Sequence, residues 1–132
     1  MNPQKFRELV LQALFSIEMD GDEVLPLLMH TLMASKKVVK EGILVANEVL
    51  KEKKRYDQKI CDTSNNYELD RIPLVEKNIL RYALYEIEHK EPTALVTHEA
   101  VRLARKFSTP EAGTFINAIL NELHPQEEQV TS

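Results

Sequence analysis

Tryptophan is absent from this chain, cysteine occurs once and glycine only three times. The lone thiol, Cys61, has no internal partner for a bridge, which excludes a disulfide scaffold and agrees with a reducing compartment. So little glycine leaves no Gly-rich loop to cradle a phosphate. No apolar run approaches the roughly 20 residues that span a bilayer. The start, MNPQKFREL, lacks the basic region, apolar stretch and cleavage site of a secretory signal, so residence in the cytoplasm away from membranes is expected. Positive charge is also in short supply: 17 Lys and Arg stand against 21 Asp and Glu, a net charge of -4, where an unassisted nucleic-acid binder is usually basic. What is there, 132 residues with 43% apolar and 29% charged, suffices for one globular domain with its own core and needs no structural metal.

Prolines and capping residues divide the chain into about six or seven helices, and the expected fold class is all-α. Asn2 before Pro3 caps a first helix. Phe6, Leu9, Val10, Ala13, Leu14 and Ile17 then recur at three- and four-residue steps, one helix face running to about Met19. A second helix is expected over 23–33, and a longer one from Ser35 to about Asp62. Between Lys51 and Lys59, where apolar residues nearly vanish, the latter is expected either to break or to project from the core. A polar loop at 63–66 separates halves of about 1–64 and 68–124. Pro73 starts a helix that is apolar around most of its circumference through Leu74, Val75, Ile79, Leu80, Ala83, Leu84 and Ile87, as a central helix would be. Another begins between Thr93 and His98 and ends near Phe107. Thr109 and Pro110 start the last, with Phe115, Ile116, Ile119, Leu120 and Leu123 inward. The helical domain spans 1–124, and 125–132 form a flexible polar tail.

Signatures of catalysis and of metal or cofactor binding are missing. The sequence has no GxSxG, no HExxH and no cysteine pair, and its four histidines lack the spacing that places two ligands on one helix face. Glu86 and Glu88, two apart, point about 200° apart on a helix and form no local acid-base pair. No cofactor, metal or enzymatic activity is therefore expected. Two features read as binding surface. Arg7, Leu11 and Phe15 make a row four apart beside the buried stripe, either the edge of a wide core face or an exposed row awaiting a partner. Lys5 and Arg7 sit at a helix N-terminus, where backbone donors favour phosphate. The segment 36–59 carries a local net charge of +4, which on a helix is ordinarily a solvated face with intrahelical ion pairs.

Three stretches, in order along the chain, carry motifs of a known kind. The first is FRELVLQALFS, with Gln12, Ala13, Leu14 and Phe15 on a QALY-like element. The second is LDRIPLVEKNILRYALYEI, from Leu69 to Ile87. The third is THEAVRLARKFSTPEAGTFINAIL, similar to NEAVELAKKFG and a following F-V-N-G-V-L helix through Glu99, Ala100, Val101, Leu103, Ala104, Phe107, Phe115, Ile116, Asn117 and Leu120. Together these stretches resemble the NusB family of bacterial transcription antitermination factors. The resemblance implies a bundle of two packed helical halves, and a non-catalytic protein that binds boxA RNA together with the ribosomal protein NusE, in an RNA polymerase complex that suppresses termination, notably on rRNA operons. Its basic matches are Lys5 and Arg7, which are expected to contact RNA, and its partner-facing matches are Phe15, Glu86 and Glu111. Beside these, Arg102, Arg105 and Lys106, on the outer side of their helix, are expected as auxiliary phosphate contacts, and Leu11 joins Phe15 in the partner-facing row. Positions that carry arginine in the family hold Pro3, Gln4 and Phe6 here, so RNA binding that is weak alone and strong with NusE is expected. The same fold also opens certain rRNA cytosine methyltransferases, which makes an rRNA-modification accessory the alternative. A third reading is a protein-only helical adaptor or homodimer that pairs through Leu11 and Phe15.

Overall fold

The computed structural model describes residues 1–19, 33–63 and 69–124, and all its regular structure is helical. The chain divides into two compact units, Met1–Glu52 and Lys53–Ser132. The division falls in the nearly all-polar stretch rather than at the 63–66 loop.

In the first unit, α1 spans Pro3–Met19 and α2 spans Lys36–Lys51. Asn2 caps α1 by accepting the Lys5 N–H at 2.8 Å, and Ser35 caps α2 by accepting the Val38 N–H at 3.3 Å. Leu9, Val10, Ala13 and Leu14 of α1 and Val39, Ala46 and Val49 of α2 are fully buried. The two helices pack on each other at Gly42, where a Cβ would come within 2.8 Å of Leu9 Cγ and Cδ2, so only glycine admits this approach. The expected helix over 23–33 lies outside the described residues except for Met33, which stands in an exposed turn.

In the second unit, α3 (Lys53–Cys61), a 3₁₀ turn (Leu69–Arg71), α4 (Leu74–Glu88), α5 (Thr93–Phe107) and α6 (Pro110–Leu123) follow in order. Six α-helices are thus present among the described residues. The long helix expected over 35–62 is two helices with Glu52 between them, because 51–59 offers few apolar side chains to continue the stripe. The 3₁₀ turn gave no periodic signal. α4 is central, touching α3, α5 and α6, and Ile79, Leu80, Tyr82, Ala83 and Leu84 are all buried on it. Its C-terminus is closed by two bonds of the Schellman type, from the Glu91 N–H to the Glu86 carbonyl and from the Lys90 N–H to the Ile87 carbonyl, both 3.1 Å, with Lys90 left-handed at φ 72°. The most extensive helix pairing is between α5 and α6, across Ser108 and Thr109; Thr109 caps α6 through the Ala112 N–H at 3.0 Å. The expected tail from 125 on is outside the described residues.

Candidate functional site

Along α1 the four-residue row climbs out of the core. Arg7 is 6% exposed, Leu11 4%, Phe15 41% and Met19 64%. Leu11 is therefore packed in the interior, and the exposed part of the row begins at Phe15. Exposure thus rises towards the C-terminal end of the helix, where Ile17 is half-buried and Met19 exposed. Lys5 is exposed in the first turn, whereas Arg7 is buried and engaged with other groups. Of the two basic residues at the helix start, only Lys5 faces solvent.

In the second unit, Arg102 is turned back onto Glu99, its Nε and Nη2 donating to Oε1 at 3.1 and 3.0 Å. Arg105 is exposed and its stem crosses α6 at Gly113, where a Cβ would lie 3.0 Å from Arg105 Cγ. Lys106 is exposed and stands 5.7 Å over the Phe107 ring. Glu86 is half-buried and lines a shallow depression between α4 and α5 with Ile79, Tyr82 and Val96, while Glu111 is exposed in the first turn of α6. The helix pair thus presents Arg105 and Lys106 near the end of α5 and Glu111 near the start of α6, with Arg102 held by an internal carboxylate.

A second set of polar side chains had no local signal in the sequence. Glu88, at the end of α4, accepts from both terminal guanidinium nitrogens of Arg55, Nη2 at 2.9 Å, from the Tyr56 hydroxyl at 3.0 Å and from Lys59 at 3.5 Å. The Arg55 hydrogen bonds outweigh burial, and with help from Tyr56 and Lys59 they lower the Glu88 carboxyl to about 2. His124 is shifted the other way on the scale of charge: burial and the nearby Lys59 favour its neutral form, opposed by Glu88. Deeper in the unit, Arg81 is 4% exposed and donates to both Asp57 oxygens at 2.8 and 2.9 Å and to Asn78 at 3.0 Å. Apart from Arg81–Asn78, three apart on one helix, these contacts join residues 24 to 33 positions apart, beyond any helical period, and they draw Arg55 and Lys59 out of the basic run.

The arrangement is one of ion pairs and faces. Among the described residues there is no group of three His, Cys, Asp or Glu placed to hold a metal, and no helix is long and apolar enough to cross a membrane. Residues 4–125 match the sequence profile described as the NusB family. The chain belongs to the NusB family. The transcription antitermination protein NusB of Chlamydia pneumoniae is 38% identical over 125 residues, covering 91% of this chain and 78% of the relative, and that of Geobacter sulfurreducens is 34% identical, covering 89% of each. Among solved structures, a NusB–NusE complex with double-stranded RNA has a subunit that superposes with a TM-score of 0.75, at 20% identity, over 93% of this chain and 96% of that one. This likeness shows that the fold is NusB-like. As a NusB-family protein, the chain is a non-catalytic transcription antitermination factor.

Proposed function

We propose that this NusB-family chain acts in the cytoplasm by binding boxA RNA jointly with NusE, within an RNA polymerase complex that suppresses termination on rRNA operons. In this reading Lys5 makes the main phosphate contact on α1, and Arg105 and Lys106 supply further charge. Arg7 and Arg102 support these surfaces from within. Phe15 is the apolar anchor for the protein partner, with Glu86 and Glu111 as polar contacts and Leu11 packed behind the anchor. The observation that carries the reading is Phe15: it matches the aromatic position of the family's first helix and is left 41% exposed beside a fully buried stripe. Two exposed cations near the end of α5 and one near the start of α1 are few for an RNA binder, which is the reason for assigning the RNA to the heterodimer. Titration of labelled boxA RNA with this chain, with NusE, and with the two together tests it. Binding that is weak for the single proteins and at least tenfold tighter for the pair is expected, and equal absence of binding in all three refutes the proposal.

A further inference from the structure

The second helix of the first unit has an outer face that neither the core nor the ion-pair network uses. On α2 the buried residues Val39, Gly42, Ala46 and Val49 occupy one side. At about 100° per residue, Lys36, Lys40, Lys51 and Lys37 fall within a sector of roughly 100° on the other. All four are exposed, and none is held in an ion pair among the described residues. Asn47 lies in the same sector and Leu44, 63% exposed, lies between Lys51 and Lys37. The exposed carboxylates of the helix, Glu41 and Glu48, are confined to one edge beyond Lys37. The cations therefore form a one-sided stripe, bounded by negative charge on one flank and by the buried side on the other, and running roughly 22 Å along the axis.

Building on the RNA-binding reading above, we infer that this stripe is a phosphate track for single-stranded RNA, in which Lys36, Lys40 and Lys51 follow the backbone outside the α1 contact. The partner's chemistry is read from the charges. Lysines are point charges without the fork that grips one carboxylate bidentately, and their spread along the helix suits a polyanion better than a localised acidic cluster. A contact of this kind adds affinity without sequence preference. It supplies the positive surface that the arginine-depleted start of the chain lacks, and it does so although the whole chain is net acidic, because the excess charge is local.

The test is fluorescence anisotropy of the full chain with NusE on a labelled oligouridylate, measured across a salt series. Three lost single-strand contacts should lower the slope of log affinity against log salt by about 2, so raising salt from about 50 to 200 mM weakens the wild type roughly 20-fold more than K36Q/K40Q/K51Q. The lysines are exposed, so the melting temperature should be unchanged; if the triple variant melts early, the single variants, each lowering the slope by about 0.7, serve instead. Restoration of the slope by K36R/K40R/K51R supports the track. Leu44→Ser should change affinity less than twofold. A slope that the lysine variants leave unchanged overturns the track while the boxA reading stands, and failure of the wild-type pair to bind any RNA overturns both. A more than tenfold loss from Leu44→Ser, with binding of an acidic helical peptide in place of RNA, reassigns the face to a protein and overturns the track.

Discussion

Glu88 shows how one carboxylate organises a corner of the second unit. Its partners arrive from α3 as two cations and a phenol, and the bidentate Arg55 pair contributes more than a lone surface ion pair does. The folded carboxyl titrates near 2 and the unfolded one near 4.5. The stabilisation is therefore complete above pH 4.5 and is lost as pH falls from 4.5 towards 2. With the side chain still 27% exposed, solvent screening reduces it to about 1 to 2 kcal/mol. Glu88→Gln should lower the melting temperature at neutral pH by several degrees. The gap between variant and wild type should narrow steadily below pH 4.5, as calorimetry across pH 2 to 7 would read. The local sequence could not announce this group, since Glu88 and Arg55 are 33 residues apart and each is unremarkable in its own helix.

At the scale of helices, two backbone positions decide stability in opposite senses. Lys90 pays the left-handed penalty at the Schellman close of α4, a position that glycine fills at no steric cost. Lys90→Gly should stabilise the protein by about 1 kcal/mol, visible as a higher urea midpoint with an unchanged m value. Gly42→Ala gains roughly 1 kcal/mol of helix propensity but drives a methyl into the fully buried Leu9, an overpacking cost of about 1 to 3 kcal/mol. A net loss of about 1 kcal/mol is expected, with Gly42→Ala costing less in a Leu9→Ala background than alone, a coupling that a double-mutant cycle measures.

These elements were legible from caps and periodicity because Asn2, Ser35, Pro73 and Thr109 act locally, and so do the apolar stripes. The position of the break at Glu52 and the burial of Leu11 and Arg7 were not legible. Both depend on how much neighbouring helices cover, which a single helix's pattern does not encode. The candidate interface was legible in part: Phe15 and Lys5 face solvent as a row or a charged start would suggest, while the lysines of α2 stood out only once α3 had used Arg55 and Lys59 for Glu88.

For the whole molecule, the question is whether surface or core explains an aromatic such as Phe15. A core phenylalanine truncated to alanine costs about 3 to 5 kcal/mol. At 41% exposure Phe15→Ala should cost the free protein about 1 kcal/mol, read from thermal denaturation. Its affinity for NusE should fall by about 2 kcal/mol in isothermal titration, as at an aromatic hot spot. Unchanged affinity per folded molecule together with a large stability loss would return Phe15 to the core.

The short link between α5 and α6 also bears on how fast the chain finds its structure. Only Ser108 and Thr109 separate the two helices, so their contacts are among the closest in sequence in the molecule and cost the least loop-closure entropy. Residues buried along that pair, such as Leu103 and Ile116, should have their contacts largely formed at the folding barrier, with φ values of about 0.5 to 0.8 for Leu103→Ala and Ile116→Val. Val10 of α1, whose partner helix starts at Lys36, should give about 0 to 0.3 for Val10→Ala. Stopped-flow chevrons of the three variants would show slowed refolding for the first two and, for the third, mainly faster unfolding.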